Sequence, residues 1–215
     1  MKAWMTAAAA AMVLLWGGLS AEAAQPGLRE TAAQVSEEAP ALVDGLDARY
    51  PVWEGGTALQ RARVNAAVEA ETVRFATKLE KMQTHGDVDG WVRWMAGRTD
   101  GGLVSLVLLE SVYPHHAAHP STAVVGMTFD EKGYRVSREE ALRRAAGTDV
   151  EAAVSQQAAE RGLSLFPEAW RQQTDWPEQF YVGADGQLYF IFQQYEIAPY
   201  AAGWIAIDAG PWDGE

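Results

Sequence analysis

The stretch "WVRWMAGRTDGGLVSLVLLESVY", Trp91 to Tyr113, decides how the chain folds. Two runs rich in apolar and β-branched residues, Trp91–Ala96 and Leu103–Tyr113, flank the glycine-rich turn "GRTDGG". That pattern predicts an antiparallel hairpin. The segment "LVSLVLL" within the second run is apolar on both faces. Such a strand belongs in the middle of a sheet with both faces covered. The flanking sequence therefore has to supply the cover.

Upstream, Thr57 to Met82 supplies a helix. Val64, Val68, Thr72, Phe75, Leu79 and Met82 fall on one stripe, and the charged residues lie mostly off it. Gly86 follows the last turn and stops it. Before the helix, Ala41 to Trp53 predicts an edge strand ending at "YPVWEGG", because proline has no N–H for a central ladder. Downstream, Thr122 to Asp130 predicts another strand, turned by "DEKG". Two S/T-x-x-E signatures, Ser137 to Glu140 and Thr148 to Glu151, predict capped starts for helices over Arg138–Ala145 and Asp149–Arg161. Gln179–Val182 and Gln187–Phe192 flank "GADG" and predict a second hairpin, with a last strand at Gly203–Ile207. Together these elements predict an α+β domain: an antiparallel sheet with one long helix and two short helices packed on one face.

The first 23 residues have a positively charged start, an apolar run and Ala21-Glu22-Ala23, a small-x-small cleavage site. They read as a secretory signal peptide, so the chain is expected to be exported, periplasmic or extracellular, with no membrane span after cleavage. Residues 24–40 are small, polar and acidic and read as a loose leader, with a short helix as the alternative. The domain proper is expected over residues 41–215. There is no cysteine, so the core must hold without disulfides. The net charge of −12 repels phosphate backbones and makes nucleic acid a poor partner. It attracts cationic partners, although acidity also simply keeps an exported protein soluble.

Two motifs stand out. "YPHHAAHPST", Tyr113 to Thr122, holds three of the four histidines. His115 and His119 have helical metal-site spacing, but Pro114 and Pro120 bracket them and no carboxylate completes a set, so no metal and no cofactor are expected. The second motif is "QYEIAPYAAGW", Gln194 to Trp204. Pro199 breaks a ladder there, and bulges or strand ends re-aim side chains. Tyr195, Glu196 and Tyr200 then become candidates for one concave surface. Tyrosines beside a carboxylate suit a sugar or a peptide. The alternative is a structural bend with its hydroxyls tied to backbone. No G-x-S-x-G, cysteine nucleophile or glycine-rich phosphate loop is present.

The order of these motifs resembles a known group of domains. A "YP" strand at Tyr50 precedes a helix containing Asn65 in "RARVNAAV". "GLVSLVL", a tyrosine–histidine turn ending "AHPST", "FDEKG" and the terminal "YEIAPYAAG" follow. From Ala41 to Ala209 the chain resembles the extracytoplasmic domain of RsiV, a lysozyme-binding anti-sigma factor. It is similar also to the non-catalytic N-terminal region of PdaC-type peptidoglycan deacetylases. The resemblance implies an envelope binding module for a cell-wall glycan, such as peptidoglycan, or a cationic protein such as lysozyme. Candidate contacts are Tyr113, His119, Tyr195, Glu196 and Tyr200. The alternatives are an envelope-polymer-modifying enzyme using Glu196 and a structural envelope protein without a site.

Overall fold

The computed structural model describes residues 25–100, 102–168 and 175–213. The expected signal peptide, residues 1–23, lies outside the described residues. Nine strands and three α-helices are described, and the α+β class holds. The long helix α1 spans Ala58–Gln83. Thr57 caps its start by accepting from the Gln60 N–H at 3.1 Å. Val64, Val68, Thr72, Phe75 and Leu79 are buried on its predicted stripe, and Met82 at its end is only half-buried.

The expected hairpin is β4 (Val88–Ala96) with β5 (Val104–Pro114), and β6 (Ser121–Phe129) adds to it antiparallel. A short parallel strand, β2 (Leu46–Ala48), completes a four-stranded sheet in the order β2-β4-β5-β6. The second predicted hairpin is β7 (Gln179–Val182) with β8 (Gln187–Phe192), and β9 (Ile205–Pro211) makes a separate three-stranded sheet. The single expected sheet is thus a four-stranded and a three-stranded sheet, in addition to a two-stranded ribbon, and the helices divide between the two larger sheets. Val104, Leu106, Leu108, Met127 and Phe129 pack on Val64 and Val68 of α1. Alternate residues Val107 and Val124 face the other way, against Tyr181, Tyr189, Ile191, Trp204 and Ala206. The outer face of the second sheet, with Phe180, Phe190, Phe192, Ile205 and Ile207, is covered by α2 (Arg138–Arg144) and α3 (Val150–Glu160). The period-2 alternation of side chains in β5, β8 and β9 produces this order of layers: helix, sheet, sheet, helices. The doubly apolar "LVSLVLL" is the strand between two cores, as its composition requires.

Two local expectations change. Residues 24–40 were expected as a loose leader, yet β1 (Val35–Glu38) lies there and pairs antiparallel with β3 (Tyr50–Trp53). Nearby, the Tyr181 hydroxyl donates to the Pro26 carbonyl at 2.7 Å, and Arg29 bridges to Ala96. Backbone partners order this segment together with Leu28, Ala32 and Val35, which pack against the cores. Pro51 lies in β3 of this two-stranded ribbon, as an edge proline should. The cap of α3 is Asp149, accepting from the Ala152 N–H at 2.7 Å. Thr148 instead donates to the Ala209 carbonyl at 2.8 Å and ties the helix start to β9.

Side-chain amides close three strand edges. Asn65 of α1 accepts from the Trp53 N–H at 2.8 Å and donates to its carbonyl at 3.1 Å. Gln157 of α3 does the same for Asp208 of β9, at 2.8 Å each way. Gln193 does it for Val124 of β6, at 2.8 and 2.9 Å. Each amide imitates one residue of a neighbouring strand, so an edge that would otherwise invite another chain is satisfied internally. On β6, Gln194 also accepts from the Thr122 N–H at 2.9 Å, and Gln179 from that of Gly126 at 3.1 Å.

Candidate functional site

The loop between β8 and β9 carries the tyrosines, and the amides just described hold it in place. β8 ends at Phe192, before the proline. A turn follows in which the Glu196 N–H donates to the Gln193 carbonyl at 3.1 Å. Pro199 then caps a single 3-10 turn, Tyr200–Ala202, before β9 begins. Proline therefore sits in a connection, where its missing N–H costs nothing.

Tyr195 occupies the third position of that turn with φ of 65°, a left-handed conformation that glycine or asparagine normally supplies. Its neighbours fix it there. Gln193 and Gln194 are bonded through their side chains to β6. The Glu196 carboxylate accepts from the Gln193 N–H at 2.6 Å. With both flanks pinned, the residue between them takes the strained geometry, at a cost of about 1 kcal/mol or more. Tyr195 is 52% exposed, so packing does not explain the strain.

The histidine turn between β5 and β6 meets this loop. The His119 ring stacks on Tyr200 with centroids 3.8 Å apart and planes 23° from parallel. The Tyr195 hydroxyl lies 3.2 Å from His119 Nε2, and the two tyrosine rings are 5.8 Å apart. His119 Nδ1 is 3.1 Å from the Pro120 carbonyl. That contact makes Nδ1 the protonated nitrogen in the neutral ring and leaves Nε2 to accept from Tyr195. Burial raises the Tyr200 hydroxyl pKa, and the neighbouring Tyr195 adds to this.

Three of the five sequence candidates thus form one cluster. The other two do not join it. Tyr113 pairs with Asp89 across the β4–β5 ladder, and its ring is near His115, 6.3 Å between centroids. His115 in turn contacts Asp89 at 3.0 Å. Glu196 is half-buried, which raises its pKa, and the Gln193 N–H offsets this in part. That carboxylate shapes the turn that presents Tyr195. Gln193, Gln194 and Gln179 were not singled out from sequence. A glutamine carries no sequence mark of a backbone partner about seventy residues away. Among the described residues, no three His, Asp or Glu side chains are grouped to hold a metal ion. No helix among them is long and apolar enough to cross a membrane.

A hollow of about 430 Å³ lies at the opposite end of β5, lined by Arg98, Tyr134, Arg135, Arg144 and Trp212 among others. Its arginines are taken up internally: Arg98 by Asp100 and Asp213, Arg144 by Glu140 and the Trp212 carbonyl, and Arg135 by the Gly126 carbonyl.

Residues 135–208 match the family model described as "Protein of unknown function (DUF3298)". The match includes Tyr195, Glu196 and Tyr200, whereas His119 lies outside it. The fold is similar to that of a DUF3298 family protein from Pseudomonas aeruginosa PAO1. That likeness covers 82% of this chain and 88% of that one at 14% identity, with a TM-score of 0.56. A DUF3298 family member from Bacteroides fragilis NCTC 9343 aligns over 83% of this chain and 88% of its own, at 15% identity and a TM-score of 0.44. No curated protein matches the chain.

Proposed function

We propose that this protein is an exported cell-envelope binding module that recognises a cell-wall glycan or a protein partner such as lysozyme. The observation that carries the reading is the His119–Tyr195–Tyr200 cluster, with a stacked pair at 3.8 Å and an exposed tyrosine held at positive φ. Strained residues gather at binding sites because the surrounding structure fixes them in place before the ligand arrives. Aromatic faces offer flat apolar area, and their hydroxyls and ring nitrogens offer directed hydrogen bonds. That combination suits a sugar ring, which has an apolar face and a polar rim. It equally suits a partner protein whose aromatic or arginine anchors need a rigid floor.

The resemblance to lysozyme-binding and wall-associated domains, together with the signal-like N-terminus, supports a place outside the cytoplasm. The charge of −12 supports a cationic partner. Tyr113 and Glu196 stand beside the cluster in this reading: one on the adjoining strand, the other as the anchor of the turn. Retention of the protein on purified peptidoglycan and on immobilised lysozyme, at low and high salt, tests the proposal. Retention on lysozyme should weaken with salt if charge steers it. Failure to bind either material removes the proposal.

A further inference from the structure

A second surface has a different chemistry. Arg74, Lys78, Lys81 and His85 follow one another along one side of α1 and its C-terminus. With Thr77 and Met82 they line a groove of about 580 Å³. We propose that this groove docks a linear phosphate-bearing polymer, laid along the helix.

The charge distribution argues for it. The chain carries −12 overall, yet α1 holds five arginines and lysines against three glutamates. Only four lysines occur in the chain, and two of them, Lys78 and Lys81, are exposed on this groove. Among the described residues, neither is in an ion pair. Arg74 contacts Glu71 at 2.6 Å and Glu110 at 2.7 Å. Arg74 is thus held by two carboxylates as the fixed end of the row, and among the described residues the two lysines supply its unpaired charge. The helix dipole accounts for cations in the last turn, but Lys78 and Arg74 lie beyond its reach.

The spacing argues for a linear ligand. Arg74, Lys78 and Lys81 are separated by four and three residues, about 6 and 4.5 Å along the axis, so a row of anionic groups meets one after another. Arginine and lysine are the side chains that hold phosphate oxygens, through a fork and a point charge respectively. The groove has no aromatic lining on which bases would stack, and the acidic remainder of the surface repels a wide duplex or a flat anionic bilayer. A slim polymer confined to the helix escapes that repulsion. The groove lies on the α1 side of the four-stranded sheet, opposite the sheet that carries the tyrosine loop, so the two surfaces can be tested separately.

Calorimetric titration with inorganic polyphosphate decides the matter, using the full chain, the K78A/K81A double variant and K132A. Lys132 is outside the groove and serves as the charge control. Saturable binding is expected at low salt, weakened about tenfold or more in the double variant and less than about twofold in K132A. Circular dichroism should show all three folded, since the lysines are exposed. No binding, or equal weakening in both variants, overturns the proposal. Tighter binding to single-stranded DNA or to anionic vesicles than to polyphosphate overturns the choice of occupant.

Discussion

At the seam between the two sheets, backbone groups are turned inward and bonded across it. The Val182 N–H donates to Ser105 Oγ at 2.9 Å, the Arg98 N–H to the Val182 carbonyl at 2.8 Å, and the Gln193 amide closes on Val124. A few residues further, in the loop after β8, the pattern reverses. Tyr195 is pushed out of the favoured backbone region, and its ring is left in solvent against His119 and Tyr200. The seam holds the loop, and the loop holds nothing in return. Residues that specify the fold and residues that meet a ligand are therefore separable here, even where they adjoin. Changes at the seam should cost stability. Changes at the loop should cost binding and leave stability alone.

The largest expected effect is at Gly126, where the backbones of β6 and β7 meet. A Cβ there would fall 1.8 Å from the Phe180 carbonyl oxygen, so neither backbone can give way cheaply. Gly126→Ala should lower unfolding free energy by about 3 kcal/mol or more, read by urea denaturation. A loss under about 1 kcal/mol would mean that the seam is looser than described.

Next is Glu110, a polar group that its closed surroundings do not satisfy. It is 2% exposed on β5, and its Oε1 has no partner among the described residues. Its carboxyl pKa is pushed from 4.5 to about 7 by burial, opposed by Arg74. The sign follows from proton counts: between those values the folded state binds a proton that the unfolded state has released. Its contribution is therefore fully present below about pH 4.5 and lost as pH rises through about 7, a swing of up to about 3 kcal/mol. Denaturation at a series of pH values should show this slope in the wild type and its flattening in Glu110→Gln.

The amide clamps sharpen the comparison. Gln193→Ala and Gln157→Ala each strip two backbone groups of partners, and each should cost about 1–3 kcal/mol in denaturant unfolding. Only Gln193→Ala should also reduce ligand retention, because only that clamp holds the tyrosine loop. The smallest effect, and of opposite sign, is Tyr195→Gly. Relief of the positive φ should leave stability unchanged or raise it by about 1 kcal/mol by the same assay, while binding falls.

Much of this division was legible in the sequence. The Trp91–Tyr113 hairpin, the long helix and the "GADG" hairpin all lie where local pattern puts them. The histidine turn and the tyrosine loop, both sources of candidate contacts, touch through His119. The split into two sheets was not legible, because alternation along a strand says that both faces are covered but not by what. β1 escaped notice because "VSEE" has little apolar content and gains order from its pairing with β3. Glu196 was read as a ligand group because its turn partner is a backbone N–H, which no sequence displays. Gly126 did carry a signal: an isolated glycine inside a strand pattern marks a close backbone approach.

The central claim is that a rigid seam presents an aromatic recognition surface made by His119, Tyr195 and Tyr200. Its most direct test is the affinity of the wild type and of H119A/Y200A for lysozyme and for soluble peptidoglycan fragments, with melting temperature followed alongside. The account predicts wild-type binding to at least one of these and an affinity loss of about tenfold or more in the variant at nearly unchanged melting temperature. Equal affinity in the two proteins would contradict it.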